Sequence, residues 1–401
     1  MTEEAAGPLD GLIVIDAGQV VAGPSIATFL GDFGARVIKV ERPVDGDSFR
    51  TFGAAKDGVP LGWKFWGRNK QSVTLDLRTA AGQDVLRRLV AKADVLIESF
   101  RPGTMESWGL SYETLSAIRP ELVMVRVSGY GQTGPYSHRP GFGSVAEAMS
   151  GFSDMTGFPD GPPVMPPMTL ADCVAGLYAA FGVAMCLYNR DVTSGKGQCI
   201  DISLLEPIAS LLGPHFIIFD QLGLVPRRDG NRGRFSAPRN AFQTGDGRWI
   251  SIAGSTQSSA KRMFAAMGRP ELIDDPRFST NQARLANVEE LEALITEWTT
   301  SSELNDIYEQ LVTAEVPAGP IWNVGDLMSN VQMLAREAIV AVPDDDLGPI
   351  RMPNVIPRLS ATPGRITHAG PRLGSSNETI YRDFLGMSEE ELNALTEQGV
   401  V

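Results

Sequence analysis

One acidic residue, Asp172, opens an apolar stretch, PPMTLADCVAGLYAAFGVAMCL (Pro166 to Leu187), that meets no further charge until Arg190. Pro166 and Pro167 disfavour helix just before it. From Leu170 onward apolar side chains fall on every side of a 3.6-residue repeat, the pattern of a helix buried all round. An Asp at such a place ordinarily serves as the N-cap, accepting backbone N–H bonds. The sharper possibility is a carboxylate nucleophile. With a reference pKa of about 3.9 an Asp is ionised at neutral pH. It also needs no general base to activate it, and a helix N-terminus favours its charge. The rest of the chain offers little competing chemistry. Only three histidines occur, His138, His215 and His368, and no Ser-His-Asp set is visible. Cys173 reads as packing, and Cys173, Cys186 and Cys199 form no C-x-x-C, so structural zinc and a disulfide framework are not expected.

A second place for chemistry is the turn AGQVVAG after Gly11–Asp16. Gly18 follows a strand, Gly23 precedes a helix, and Glu41 ends the next strand, where a ribose-binding acid belongs. The middle glycine of a dinucleotide fingerprint is replaced by Val20, and Pro24 stands where a P-loop needs lysine. What survives is a tight loop of backbone N–H groups facing a helix N-terminus, suited to an anion or an adenine edge. Basic residues recur at the strand ends: Arg42, Arg50, Arg68, Lys70, Arg101 and Arg139. Each alone reads as a solvated rim; together they make a patch fit for the phosphates of a nucleotide-like ligand.

These residues need a scaffold, and the chain spells one. GLIVID is a strand, PSIATFLGDF a helix closed by Gly34, and ARVIKVE a second strand: a parallel βαβ unit. Strands at Ser72–Leu75, Val95–Ile97, Leu122–Ser128 and Cys199–Leu204 continue the pattern, with helices at Ala80–Lys92 and Ser111–Ile118. The fold class is therefore α/β, a doubly wound sheet. Gly129–Pro167 is dense in Gly and Pro and reads as loops. Beyond Pro226 a smaller α+β region has a strand at Trp249–Ile252 and helices at Ser258–Met267, Val288–Trp298 and Glu303–Ala314. The tail has strand-like IRM and VIP segments and ends in GMSEEELNALTEQG, where Ser388 and Glu391 form a capping-box pattern and Gly399 a stop. This divides the chain into a large domain over 1–225, a linker and small domain over 226–327, and a C-terminal segment over 328–401.

The 401 residues are 43% hydrophobic and 21% charged, globular values. With 35 Lys+Arg against 48 Asp+Glu the net charge is −13, the wrong sign for a nucleic-acid binder. The acidic start MTEEAAGPLDGL lacks the basic-then-apolar pattern of a signal peptide, and only the central helix nears membrane-spanning length. A soluble cytoplasmic protein is expected.

PLDGLIVIDAGQVVAGP, GARVIKVERPVDGD, NKQSVTLDL, ADVLIESFRPG, VSGYGQTGPY, LADCVAG, TSGKGQCIDISLLE and GPIRMPNVIPRLSATPG resemble, in that order, the class III coenzyme A transferases, the CaiB/BaiF family of formyl-CoA and carnitine CoA-transferases. The resemblance implies a Rossmann-like large domain completed by the C-terminal segment, a small domain, and two chains interlocked as rings. It implies that CoA moves from an acyl-CoA to a carboxylic acid, without a prosthetic group. Asp172 matches the nucleophile, through acyl-aspartyl anhydride and aspartyl-CoA thioester intermediates. CoA would lie along Gln19, Val20, Val21 and Ala22, past Arg42, Asn69 and Lys70, and past Ser99, Phe100 and Arg101. Five positions depart from the pattern: Ser99 where Asn is common, Ser107 near a missing basic residue, and Phe142-Gly143 then Glu147 where Tyr-Asp then Gln is common. A glycine-rich lid has no counterpart between Pro226 and Trp249, which makes formyl and oxalyl substrates less expected. Two other readings stay open: a 2-methylacyl-CoA racemase of the same family, and an NAD-linked or other nucleotide-binding protein.

Overall fold

The structure is a computed structural model and describes residues 7–401. The chain forms two compact units. One comprises residues up to Phe152, Pro166–Ile217 and Leu334–Val401; the other comprises Ser153–Met165 and Ile218–Met333. The linear division puts 153–165 with the large domain, yet these residues pack with the second unit. Gly230 N donates to Gly157 O, which ties the short excursion to residues far along the chain.

Six strands build the first unit: β1 (Ile13–Ala17), β2 (Arg36–Glu41), β3 (Lys70–Thr74), β4 (Val95–Glu98), β5 (Val123–Ser128) and β6 (Cys199–Ser203). All pair in parallel, in the order β3-β2-β1-β4-β5-β6. The apolar runs of β1 to β5 are buried because helices cover both faces, while the edge strand β6 stays part-exposed. On one face lie α1 (Ala22–Asp32) and, later in the chain, the long helix of the central stretch. On the other lie α2 (Ala80–Val90), which buries Val85, Leu86, Leu89 and Val90 and starts where Thr79 Oγ1 accepts from Gly82 N at 3.0 Å, and α3 (Tyr112–Ile118), which buries Leu115. Strand order reverses direction between β1 and β4, and in such sheets ligands sit beyond the carboxyl ends at that switch point.

The C-terminal segment returns to this sheet. Its strands β10 (Ile339–Val342) and β11 (Ile350–Pro353) form an antiparallel pair. Tyr381, fully buried, donates its hydroxyl to Thr74 O at 2.6 Å, and Trp63 Nε1 donates to Pro371 O at 2.7 Å. The last helix (Glu389–Glu397) is capped by Ser388 Oγ, which accepts from Glu391 N. VIP is not a strand: Ile356 is exposed and unpaired with any sheet neighbour.

The second unit has its own core around a three-stranded antiparallel sheet, β7 (Arg239–Gln243), β8 (Trp249–Ala253) and β9 (Ala318–Pro320), in the order β9-β8-β7. Helices at Gln257–Ala266, Val288–Thr300 and Leu304–Thr313 supply Met263, Phe264, Leu291, Ile295, Ile307 and Leu311 to that core.

Two expectations are corrected. The Gly/Pro-rich span is not all loop: α4 (Gly143–Met149) forms inside it, because its only glycine stands at the first position and Ala146 and Glu147 pack inward. The central helix, α5 (Leu170–Asn189), is not buried all round. Ala171, Ala175, Gly176, Ala179 and Val183 face the core, while Leu177, Phe181, Met185 and Tyr188 on the opposite side are exposed. The segment Leu170–Ser194 is long and apolar enough to cross a membrane by length and composition, and 44% of its most apolar window is buried in the fold.

Candidate active site

The first turn is held by a buried set of charges beneath it. Asp16, at the end of β1, accepts from Gly18 N at 3.0 Å and pairs with Lys70 at 2.9 Å. Lys39 of β2 donates to Gly18 O and pairs with Asp47 at 3.1 Å. Asp47 in turn accepts from Val20 N at 3.0 Å. Burial opposes the Asp16 charge, but Lys39 and Lys70 outweigh it and hold the carboxyl below its ordinary value. The wiring holds Val20, a β-branched residue, at φ +65, a costly conformation that persists only where its surroundings impose it. Gly18 and Gly23 touch across the loop, a Cβ on either meeting the other's Cα at 3.0 Å or less, so side chains there would open the turn.

The β4 loop meets this turn at the switch point: Gln19 N donates to Ser99 Oγ at 2.8 Å. Behind that loop Glu98, fully buried, accepts from Phe100 N at 2.7 Å and from Arg126 Nε at 2.8 Å. Burial pushes its carboxyl up to about 7. Phe100 packs edge-on against Trp108, with ring centres 5.1 Å apart.

A cleft of about 310 Å³ opens between these loops. Gln19, Arg42, Phe100 and Arg101 line it, together with Val40, Leu75, Leu77, Arg78, Thr104 and Trp108. Its composition, aromatic and aliphatic walls with three arginines at the rim, suits a flat base bearing phosphates. The other residues chosen from the sequence are placed differently. Val21 and Ala22 are buried, and the Val20 amide is already taken by Asp47. Asn69 binds Asp32, Arg365 O and Thr367, so it anchors the C-terminal segment. Lys70 is fully buried, with its ammonium between Asp16 and Pro24 O. Arg50 chelates Glu41, Arg68 chelates Asp32, and Arg139 stacks on Tyr136. At the cleft the basic residues are Arg101, Arg42, which is exposed and paired with Asp45, and Arg78, which is exposed and bonded to both oxygens of Asp76. Arg78 was missed by the sequence reading, although it directly follows the TLDL run at the end of β3.

Asp172 is not the N-cap of α5. That place belongs to Thr169, whose side chain makes no capping bond, and Asp172 is the third helical residue. Its carboxylate rests against Gly143 of α4, where an added Cβ would lie 2.2 Å from Oδ2. Burial, then the charge of Glu147, raises its pKa from 3.8 to about 6. A carboxylate so placed is ionised at neutral pH yet poorly solvated, a combination that favours nucleophilic attack. Helix α1 lies between this group and the cleft. Its first turn meets Ser99, while Ser25 Oγ fills the place of a Cβ on Gly176, one turn beyond Asp172.

A cleft suited to a nucleotide-like ligand at a topological switch point, and a desolvated carboxylate in the first turn of α5, are two places where this fold can do chemistry. The particular family follows from comparison. The model for CoA-transferase family III matches residues 9–377, and the chain belongs to that family; it is a CoA-transferase. Succinyl-CoA–D-citramalate CoA-transferase of Chloroflexus aurantiacus is 43% identical over 98% of each chain. The beta subunit of succinyl-CoA–L-malate CoA-transferase from the same organism is 41% identical, again over 98% of each. Among solved structures, a CaiB/BaiF family protein from Brucella suis superposes with a TM-score of 0.85 at 35% identity, covering 95% of this chain and all of that one.

Proposed function

We propose that this protein passes CoA from a dicarboxylic acyl-CoA to a second carboxylic acid, with Asp172 as the nucleophile. The observation that supports it most is Asp172 itself: a carboxylate at the N-terminus of a 20-residue helix, desolvated and pressed against a glycine. Asp172 Oδ attacks the thioester carbonyl carbon, the C–S bond breaks, and the electron pair leaves on sulfur to give an acyl-aspartyl anhydride and CoA thiolate. The thiolate attacks the aspartyl carbonyl and expels the donor carboxylate, leaving aspartyl-CoA thioester. The acceptor carboxylate repeats the first step on that thioester, and the thiolate then takes the new acyl group and frees Asp172. No net proton moves in this sequence of steps. Phe142, which cannot titrate, favours transfer over racemisation by proton exchange.

CoA binds with its base in the cleft lined by Phe100, Trp108 and Leu77 and its phosphates toward Arg42, Arg78 and Arg101. Binding energy from this remote part of the substrate is then available to orient the thioester. The dicarboxylic class follows from the succinyl-CoA enzymes among the relatives, whose acceptors are citramalate and malate. The chain works in the cytoplasm as an interlocked homodimer. Support comes from the exposed apolar face of α5 and from a first unit assembled from segments on both sides of Ile218–Met333.

Incubation with succinyl-CoA followed by hydroxylamine, read by peptide mass spectrometry, tests the mechanism. A hydroxamate at Asp172 is expected in the wild type and none in Asp172→Asn. Full turnover by Asp172→Asn would overturn it.

A further inference from the structure

The N-terminus of α5 receives a second carboxylate from a different helix. Glu147 of α4, 2% exposed, accepts a hydrogen bond from Ala171 N at 3.1 Å. Thr169, the residue positioned to cap this helix, makes no such bond. The neighbouring amides are also engaged: Leu170 N donates to Met168 O and Cys173 N to Thr169 O. One acid therefore caps the helix, while the adjacent acid, Asp172, is left with its own amide and the face of Gly143. A buried glutamate is a costly choice of cap, since a serine or asparagine at 169 would satisfy the same donor without burying a charge.

We infer that Glu147 is a positioning residue for transfer: its buried carboxylate takes the Ala171 amide and places a fixed negative charge beside Asp172, which acylation relieves. This rests on Asp172 being the nucleophile. In the free enzyme two like charges share one helix end. When Asp172 Oδ bonds to the acyl carbon, its negative charge departs with the thiolate sulfur, and the repulsion from Glu147 goes with it. The ionised nucleophile is thus raised in energy while the acylated state is not, which lowers the barrier to attack. The raised pKa of Asp172 has Glu147 as its second cause, after burial. Other titratable groups do not account for it. Cys173 on α5 is itself pushed up by burial and stays neutral. Glu206 on α6 (Leu205–Ser210), which packs on both helices, is exposed and bonded to Ser203 Oγ. Asp32, the charged residue of α1, is paired with Arg68.

Glu147→Gln keeps an oxygen that accepts from Ala171 N and removes only the charge. At pH 8 its turnover should fall about 10- to 100-fold, as a less basic and less strained nucleophile implies. The acid limb of its kcat/KM profile should move down by about one pH unit, because Asp172 ionises more easily without the neighbouring charge. A merely structural cap would leave that limb in place. Glu147→Asp, assayed beside it, should return part of the rate and move the limb back up. Thermal unfolding and CoA titration of each variant separate a folding defect from an electrostatic one. An unmoved limb with wild-type turnover in Glu147→Gln overturns the inference. Retained turnover in Asp172→Asn, run in parallel, would instead overturn the nucleophile on which it rests.

Discussion

Gly143 and Asp172 are in direct apposition: a Cβ on residue 143 would stand 2.2 Å from Asp172 Oδ2. No side chain but hydrogen fits there unless the carboxylate moves. Gly143→Ala should leave α4 intact, since alanine is the better helix former. It should displace the Asp172 carboxylate by an ångström or so, which, with Asp172 as the proposed nucleophile, costs turnover about 100-fold or more. Steady-state kinetics should show kcat lost while KM for the CoA thioester holds. A kcat near that of the wild type would show that the carboxylate can be reached from another direction.

Asp172 also makes stability depend on pH. Its folded pKa is raised from 3.8 to about 6, so the folded chain holds a proton that the unfolded chain releases across that window. Stability from this group is fully present below about pH 4 and lost as pH rises through 6. Asp172→Asn removes the penalty of the buried charge, up to about 3 kcal/mol at pH 8. Denaturant unfolding at pH 8 should find the variant more stable, with the difference vanishing near pH 4. A variant less stable at pH 8 would contradict the burial-driven shift.

Arg42 and Arg78 border the cleft from the ends of β2 and β3. A charge-assisted phosphate contact contributes about 1.5–3 kcal/mol, so Arg42→Ala or Arg78→Ala should raise KM for the CoA ester about ten-fold or more with little change in kcat. Both effects should shrink as salt is added. Lys70→Ala, by contrast, should unfold the first turn, because it strips Asp16 of a buried partner. A selective KM effect from Lys70→Ala would place the ligand deeper in the sheet.

Phe181, 65% exposed, sits with Leu177, Met185 and Tyr188 on the uncovered side of α5. If a second chain covers that side, Phe181→Glu should prevent assembly and yield monomer or aggregate in light scattering. Wild-type protein should be a dimer at micromolar concentration. A monodisperse wild-type monomer would remove the interlocked arrangement.

The doubly wound sheet was legible from the sequence because its code is local. GLIVID, ARVIKVE and LVMVRVS are apolar runs that a parallel sheet buries on both faces, and the helices between them repeat at 3.6 residues. Asp172 was legible for the same reason, as one charge at the start of an uncharged helix. The cap residue Ser388 also acts within three residues of itself.

What only the tertiary structure decided is where charges go when elements distant in sequence meet. Lys70 and Arg42 look alike along the chain, each beside a strand end, but Lys70 points into the sheet against Asp16 while Arg42 faces the cleft. Burial of an ammonium is settled by a partner 54 residues away, which no spacing rule reports. Asn69 was likewise claimed by Thr367, and the uncovered side of α5 was hidden in a stretch apolar on every side. Glu147 was visible as an acid near the right loop, but its meeting with Ala171 N required α4 to form inside a glycine-rich span and dock on α5. Local patterning determined the elements and singled out Asp172; long-range pairing of buried charges determined which of the remaining polar residues are held inside the fold and which face the cleft.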